Sequence, residues 1–540
     1  MRFYFERDFM LQTPSSNKKR PQEQSKQNER FIKNLALLFE DGVFMFAGAL
    51  LQRAAKKFAH ATALICNDIP MTFEQLYCHS LAITKQLLNL GVGPSDKVCL
   101  LYENSITYYQ AYYGIWQTGA VIVPLNTFLA EHELEHILKD CKPKAILISP
   151  EFAKKFNPTI FSSIELIELN DEEQRISNQT ITNQDLAYTI PYVKPDEMAA
   201  LLYTSGTTGF PKGVMLSSKN ILTNVIQIIT AVNVSDQDCL LGVLPLFHSF
   251  AQNISIWTTA FLGAKTIILP KIERKWIIEG LKHKPTVIIA VPALFGLLCM
   301  LRDLDLSSVR YFVSGGDALP DKIRALFEMV YRRKLCNGYG LTETSPFIAL
   351  DCQDSLKQTN TVGKIGNGIE YSLRDENNNE VPSGAIGILW VKGDNIMLGY
   401  YNAPEATADV LKDGWLNTGD FAQFDSENRL VIAGRFKDLI IHKGFNIYPQ
   451  EIENVLMSYP GIMKAAVVGL PDEDVGEVTI AYVVIKDAPI TIEKDLKQHC
   501  IKNLANYKVP RSYKVLEDLP MTPLGKVDKK KLRLESKKDN

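Results

Sequence analysis

No Cys-x-x-Cys pair occurs in this sequence, although it holds nine cysteines, at positions 66, 78, 99, 141, 239, 299, 336, 352 and 500. Scattered and odd in number, they argue against a disulfide framework or a zinc site and fit a reducing, cytoplasmic setting. Charge of one sign is also missing: the formal net charge is -2, so no overall basic field draws the chain to nucleic acid, and none is expected as a partner. Long apolar runs are absent too. The most apolar stretch, Ile254 to Pro270, is interrupted by Lys265. It is shorter than a membrane span needs and reads as a buried strand–helix–strand segment. Met1 to Met10 mixes Arg2, Glu6, Arg7 and Asp8 with aromatics and lacks the apolar region of a secretory signal. These absences leave a chain without a transmembrane segment, for which peripheral membrane contact stays open.

What is present is an ordinary soluble globular mixture. At 540 residues, with 46% hydrophobic and 22% charged side chains, the chain exceeds one ordinary core and calls for two or more domains. Thr13 to Arg30 is polar and places a disordered leader over residues 1–35. Short apolar runs then alternate with helical spacing. Ala145 to Ile148, Thr266 to Leu269, Thr286 to Val291 and Val309 to Val313 read as strands. Ile323, Leu326, Phe327, Val330 and Tyr331 recur at helical spacing after Pro320. This alternation predicts an α/β fold with largely parallel sheets and flanking helices over residues 36–434. A second unit over 435–540 carries a helix at Glu451–Met457, strands at Ala465–Gly469 and Thr479–Ile485, and a helix at Ile492–Leu504. At roughly a hundred residues it is large enough to be a small α+β domain. The basic run from Lys526 to Lys538 reads as a solvated tail.

The most informative stretch is Tyr203-Thr-Ser-Gly-Thr-Thr-Gly-Phe-Pro-Lys-Gly213. It offers the hydroxyls of Thr204, Ser205, Thr207 and Thr208, the glycines Gly206 and Gly209, and the cation of Lys212. Glycines let backbone approach a ligand closely. Backbone N–H groups, hydroxyls and an ammonium together suit polyphosphate oxygens. The frame is neither a Walker A loop, since Pro211 stands where its second glycine belongs, nor a dinucleotide fingerprint.

Four further motifs follow in order: Asn337-Gly-Tyr-Gly-Leu-Thr-Glu-Thr344; Gly414-Trp-Leu-Asn-Thr-Gly-Asp420; Gly434-Arg-Phe-Lys-Asp-Leu-Ile440 with Gly444-Phe-Asn-Ile-Tyr-Pro449; and Pro523-Leu-Gly-Lys-Val-Asp528. With the glycine-rich string, they resemble the signatures of the adenylate-forming superfamily, which includes acyl-CoA synthetases, luciferases and peptide-synthetase adenylation domains. The resemblance implies ATP, Mg²⁺ and coenzyme A as cofactor and co-substrates. It also implies attack of a carboxylate on the α-phosphorus of ATP, then acyl transfer to the CoA thiol. Two anions must meet, so catalysis rests on positioning and charge neutralisation.

By the same resemblance, Lys526 neutralises the adenylation step, Glu343 ligates Mg²⁺ and Thr342 holds the α-phosphate. Asp420 and Arg435 bind ribose. Tyr339 and Asn337, with Gly340, take one side of the adenine, and Gly315, Gly316 and Asp317 the other. His248, in Pro245-Leu-Phe-His-Ser-Phe250, is expected near the substrate carboxylate. Lys437 matches a hinge, and Lys443 with Gly444 a loop that faces the site after domain rotation.

A peptide-synthetase adenylation domain holds the substrate ammonium with an aspartate soon after the matching aromatic motif. Phe247-His-Ser-Phe-Ala-Gln-Asn253 holds no acid, which disfavours a free amino acid. The apolar stretches Val291–Gly296 and Phe347–Leu350 suit an acyl chain or aryl acid. A medium- or long-chain fatty acid is the expected substrate; a coumarate-like acid and a carrier-protein thiol acceptor stay open.

One prediction follows from Lys526. Lys526→Ala should nearly abolish acyl-AMP formation from acid and ATP while thioester formation from supplied acyl-AMP largely survives. Equal losses in both half-reactions of a folded variant would contradict that division of labour.

Overall fold

The computed structural model describes residues 21–40, 43–171, 188–204, 211–301, 304–352, 361–442, 445–472, 475–485, 492–522 and 527–538. It is a mixed α/β protein with a large N-terminal and a small C-terminal domain. Among the described residues the large domain is built on two broad sheets. One runs Gly399–Tyr400, Lys212–Ser217, Met198–Thr204, Val121–Pro124, Lys97–Leu101, Ala145–Ile148, Glu165–Glu168. Its pairings are parallel except at Lys212–Ser217 and Gly399–Tyr400. The other is parallel from Leu335–Gly340 through Tyr311–Ser314, Val287–Ala290, Cys239–Gly242 and Lys265–Ile268 to Thr62–Cys66, with antiparallel strands at both edges. Val121–Pro124, Ala145–Ile148 and Val287–Ala290 are buried along their whole length, as parallel strands covered on both faces must be.

Helix Ile106–Gln117 packs on Lys97–Leu101 and Val121–Pro124 of one sheet and on Thr62–Cys66 of the other, and every one of its residues is buried. Ser105 caps its N-terminus by accepting from the Tyr108 N–H. Tyr113 donates its hydroxyl to the Ile256 carbonyl at 2.7 Å and Trp116 its indole N–H to the Ala199 carbonyl at 2.9 Å. These rings bury their apolar bodies, at about 1.5–3 kcal/mol each, with their polar tips bonded.

A third, antiparallel sheet carries Trp415–Phe424 and Leu430–Arg435 side by side, with Asp420 directly opposite Arg435. After the short turn Phe436–Asp438, the chain enters a separate sheet of Ile440–His442, Phe445–Ile447, Ile462–Asp472, Gly476–Ile485 and Ser512–Val515. Ile440, Ile452, Leu456, Val467, Ala481 and Leu496 form a buried apolar cluster of its own there.

Three expectations are corrected. Of the leader expected to be disordered over 1–35, residues 1–20 lie outside the described residues, and Pro21–Leu35 is helical. Phe31 is buried and Arg30 donates to the Ile229 carbonyl at 2.9 Å, so a few docking residues override the polar composition. The strand–helix–strand expected over 254–270 is helix through Leu262, then the single strand Lys265–Ile268. The solvated basic tail is instead the helix Lys529–Lys538. Its Leu532 is fully buried, Lys529 pairs with Glu453 at 2.7 Å and Arg533 with Asp438 at 2.7 Å.

Candidate active site

The glycine-rich string straddles a pair of strands. Thr204 ends Met198–Thr204 and Lys212 begins Lys212–Ser217, and the two residues are cross-strand partners. Ser205, Gly206, Thr207, Thr208 and Gly209 lie outside the described residues. Gly213 packs closely: a Cβ there would stand 2.8 Å from Leu201 Cδ1 and 3.2 Å from the Tyr203 ring, so those side chains would have to shift. The Lys212 ammonium sits over the Tyr400 ring, 5.5 Å from its centroid. The Tyr400 hydroxyl donates to Glu343 Oε1 at 2.8 Å. Lysine, ring and carboxylate therefore come together from three separate segments of the chain. Burial, reinforced by the neighbouring Glu343 charge, raises the Tyr400 phenol far above its ordinary range, so it stays protonated and keeps donating.

Glu343 lies in the turn Thr342–Thr344 after strand Leu335–Gly340. Gly340 admits no side chain, since a Cβ would fall 1.8 Å from the Pro346 carbonyl oxygen, which accepts the Leu341 N–H. Thr342 Oγ1 is 3.1 Å from Ser249 Oγ. The turn thus touches the segment bearing His248, whose Nδ1 accepts the Phe250 N–H at 3.3 Å. An accepting Nδ1 puts the proton of a neutral ring on Nε2. Phe250 in turn lies against the loop expected to face adenine. A Cβ on Gly315 would come within 2.9 Å of its ring, and Gly316 adopts φ +80°. Asp317 follows, exposed, with Oδ1 accepting the Ala318 N–H.

Four residues before Glu343, Tyr339 donates to Asp420 Oδ2 at 2.6 Å. Asp420 is almost fully buried and faces the exposed Arg435 guanidinium, with Nε 3.6 Å from Oδ1. Burial and then the Asp420 charge hold the Tyr339 phenol far above its ordinary range. Asn337 is buried, and its Nδ2 donates to the Thr361 carbonyl at 3.3 Å. Lys437 is also near this group: burial, then Lys212 and Arg435 as neighbouring cations, lower its ammonium below the usual lysine range.

Sequence reasoning missed Tyr400, whose value lies in a contact with a residue 57 positions away. It also missed Ser249 and the buried amides behind the Glu343 turn. Within the stretches expected to wall the acyl pocket, Leu294, Phe295, Ile348 and Ala349 are core residues. Lys526, Lys443 and Gly444 lie outside the described residues.

Among the described residues no group of three His, Cys, Asp or Glu side chains could hold a metal. Glu343 Oε2 has no hydrogen-bond partner among them, whereas Oε1 is taken by Tyr400. One hard oxygen fits Mg²⁺ that arrives with phosphate oxygens as its other ligands.

Glycine-rich backbone, paired tyrosine–carboxylate contacts and converging cations define a nucleotide-handling enzyme, and the comparisons with known proteins agree. Residues 51–401 match the AMP-binding enzyme family and residues 451–526 the AMP-binding enzyme C-terminal domain; the chain belongs to this family. It is 32% identical to a long-chain-fatty-acid–CoA ligase of Yersinia pestis, with 91% of this chain and 94% of that protein covered. It is also 32% identical to a feruloyl-CoA synthase of an Amycolatopsis species, with 89% and 97% covered. The crystal structure of ATP-bound MatB from Rhodopseudomonas palustris superposes with a TM-score of 0.85 at 28% identity, covering 91% of this chain and 99% of that one.

The Tyr339–Asp420–Arg435 chain yields a test. Asp420→Asn should raise the apparent KM for ATP about tenfold, the loss of roughly 1.5 kcal/mol of charged hydrogen bonding. The KM for the acid should stay within about twofold. A rise confined to the acid would remove Asp420 from the nucleotide side.

Proposed function

We propose that the protein is an AMP-forming acyl-CoA synthetase acting on a medium- or long-chain fatty acid. In the first half-reaction a carboxylate oxygen attacks the α-phosphorus of ATP and pyrophosphate leaves. In the second the CoA sulfur attacks the acyl carbon and AMP leaves, the thiol giving up its proton. The observation that carries this reading is the meeting of Lys212, the Tyr400–Glu343 pair and the Tyr339–Asp420–Arg435 chain from segments far apart in sequence. Similarity over 91% of the chain to a long-chain-fatty-acid–CoA ligase supports the choice of acid.

In this reading Thr204 and Lys212 draw the polyphosphate to the strand ends, and Thr342 holds the α-phosphate. Glu343 would ligate Mg²⁺, which supplies neutralisation of phosphate charge. Asp420 accepts from the ribose hydroxyls while Tyr339 and Arg435 keep its carboxylate oriented. Tyr339, with Gly315 and Gly316 opposite, frames the base. His248 borders the acid, Lys526 neutralises the meeting anions, and a pivot at Lys437 brings Lys443 and Gly444 to the site for the second half-reaction.

Small molecules are the partners this requires. Among the described residues no helix is long and apolar enough to cross a membrane. Peripheral membrane contact belongs to this reading because a long-chain acid partitions into lipid, and a cytoplasmic setting because the nine cysteines are free. An aryl acid is a second reading, favoured by the similarity to a feruloyl-CoA synthase.

A screen of C6 to C18 fatty acids and hydroxycinnamates for pyrophosphate release, with and without CoA, tests the proposal. We expect fatty acids of ten or more carbons to give release that CoA accelerates. Preference for hydroxycinnamates would move the assignment to aryl acids. Turnover indifferent to CoA would make the acceptor a carrier thiol, and no release with any acid would overturn the proposal.

A further inference from the structure

Behind the turn that presents Thr342 and Glu343 lies a set of fully buried amides: Asn224, Gln227, Asn253 and Asn395. Asn224 Oδ1 accepts the Phe347 N–H at 3.0 Å and the Asn253 Nδ2 at 2.9 Å, and its Nδ2 donates to the Phe347 carbonyl at 3.0 Å and to Gln227 at 2.8 Å. Asn253 donates to the Ser345 carbonyl at 2.8 Å and accepts from Thr258 at 3.1 Å. Asn395 donates to the carbonyls of Thr344 at 3.0 Å and Phe347 at 3.3 Å, while its own carbonyl accepts from Ser345 Oγ at 2.9 Å. The Met397 N–H, two residues on, reaches the Glu343 carbonyl at 2.9 Å.

Backbone carbonyls at 343, 344, 345 and 347 and the amide at 347 are thus all claimed from outside the turn. The claimants come from three elements that each also carry site residues or contact them. Asn253 sits three residues beyond Phe250, on the helix that follows His248. Asn224 belongs to the helix Ser218–Ala231 that follows the Lys212 strand. Asn395 leads into Met397 and Tyr400, and Leu398 and Tyr401 bond back to the carbonyls of Met215 and Gly213 on that same strand. A network satisfied throughout is rigid, and one donor removed leaves a buried acceptor unpaired. A shell of this kind governs how tightly a carboxylate holds its metal, with changes of about 10–100-fold when it is broken.

We propose that Asn224, Asn253 and Asn395 are positioning residues that hold Glu343 in the pose that receives the magnesium of MgATP. This rests on the reading of Glu343 given above. They touch neither nucleotide nor acid; their effect passes through the turn.

The test is the Mg²⁺ dependence of ATP binding, measured by titration calorimetry on the full chain at several Mg²⁺ concentrations, with thermal unfolding alongside. Asn395→Ala removes both donors to the turn. Asn253→Asp removes the donors to Ser345 and Asn224. Thr258→Val removes only the hydroxyl that orients Asn253. We expect the half-saturating Mg²⁺ to rise about tenfold or more in the first two and about two- to fourfold in Thr258→Val, with affinity for ATP in the absence of Mg²⁺ within about twofold of the parent. An unchanged Mg²⁺ requirement in the folded variants, or affinity falling equally with and without Mg²⁺, overturns the proposal. If the two asparagine variants do not fold, Thr258→Val decides alone. Because the measurement needs no acid, a parent protein that binds MgATP yet releases no pyrophosphate defeats the assignment of function and leaves this comparison standing.

Discussion

Two negatively charged reactants have to approach within bonding distance, and in water their repulsion and hydration keep them apart. The fold meets this constraint by bringing cations and oriented carboxylates from distant segments to the strand ends. Lys212 is set by its pairing opposite Thr204, and Arg435 by its pairing opposite Asp420. Lys437 follows Arg435 at the turn into the small domain, where burial and then the neighbouring cations Lys212 and Arg435 lower its ammonium below the usual lysine range. Three cations crowded in this way gain stability from a polyanion, the electrostatic complement of the reaction proposed.

Carboxylates in such a site need restraint as much as cations do. Glu343 and Asp420 each accept a hydrogen bond from a tyrosine, at 2.8 and 2.6 Å, that burial and the carboxylate itself keep protonated. Each tyrosine occupies one lone pair and fixes the direction of the rest. Tyr339 and Glu343 lie on the same short stretch, so the two pairs share one piece of backbone. Gly340, where a Cβ has no room, and the buried amides behind residues 343–347 determine the path of that stretch. Polar groups buried at this density are tolerated because their donors and acceptors meet.

Much of this was legible from residue order. Ala145–Ile148 is a strand at the expected bounds, and the helix expected from Ile323, Leu326 and Phe327 runs Asp321–Tyr331 after Pro320. Short apolar runs and helical spacing are local signals, and the fold class follows from their alternation. The leader helix was missed because Phe31 and Arg30 count for little in a polar stretch until a surface is there to receive them. The C-terminal helix was missed because Leu532 is one apolar residue among lysines. At the site, the motifs pointed to Glu343, Asp420 and Arg435, but not to Tyr400, Asn224, Asn253 or Asn395. Those four act through side-chain bonds to residues between 51 and 123 positions away, and no periodicity marks such a bond.

In the reaction proposed, the acid is activated on the α-phosphorus of ATP. Isotope transfer follows the oxygen that makes this bond. Acid carrying ¹⁸O in both carboxylate oxygens is converted with ATP and CoA, and the products are analysed by mass spectrometry. One ¹⁸O recovered in the phosphate of AMP, with unlabelled pyrophosphate, is the expected outcome. Label in inorganic phosphate with ADP as co-product, or AMP free of label, would rule out attack at the α-phosphorus.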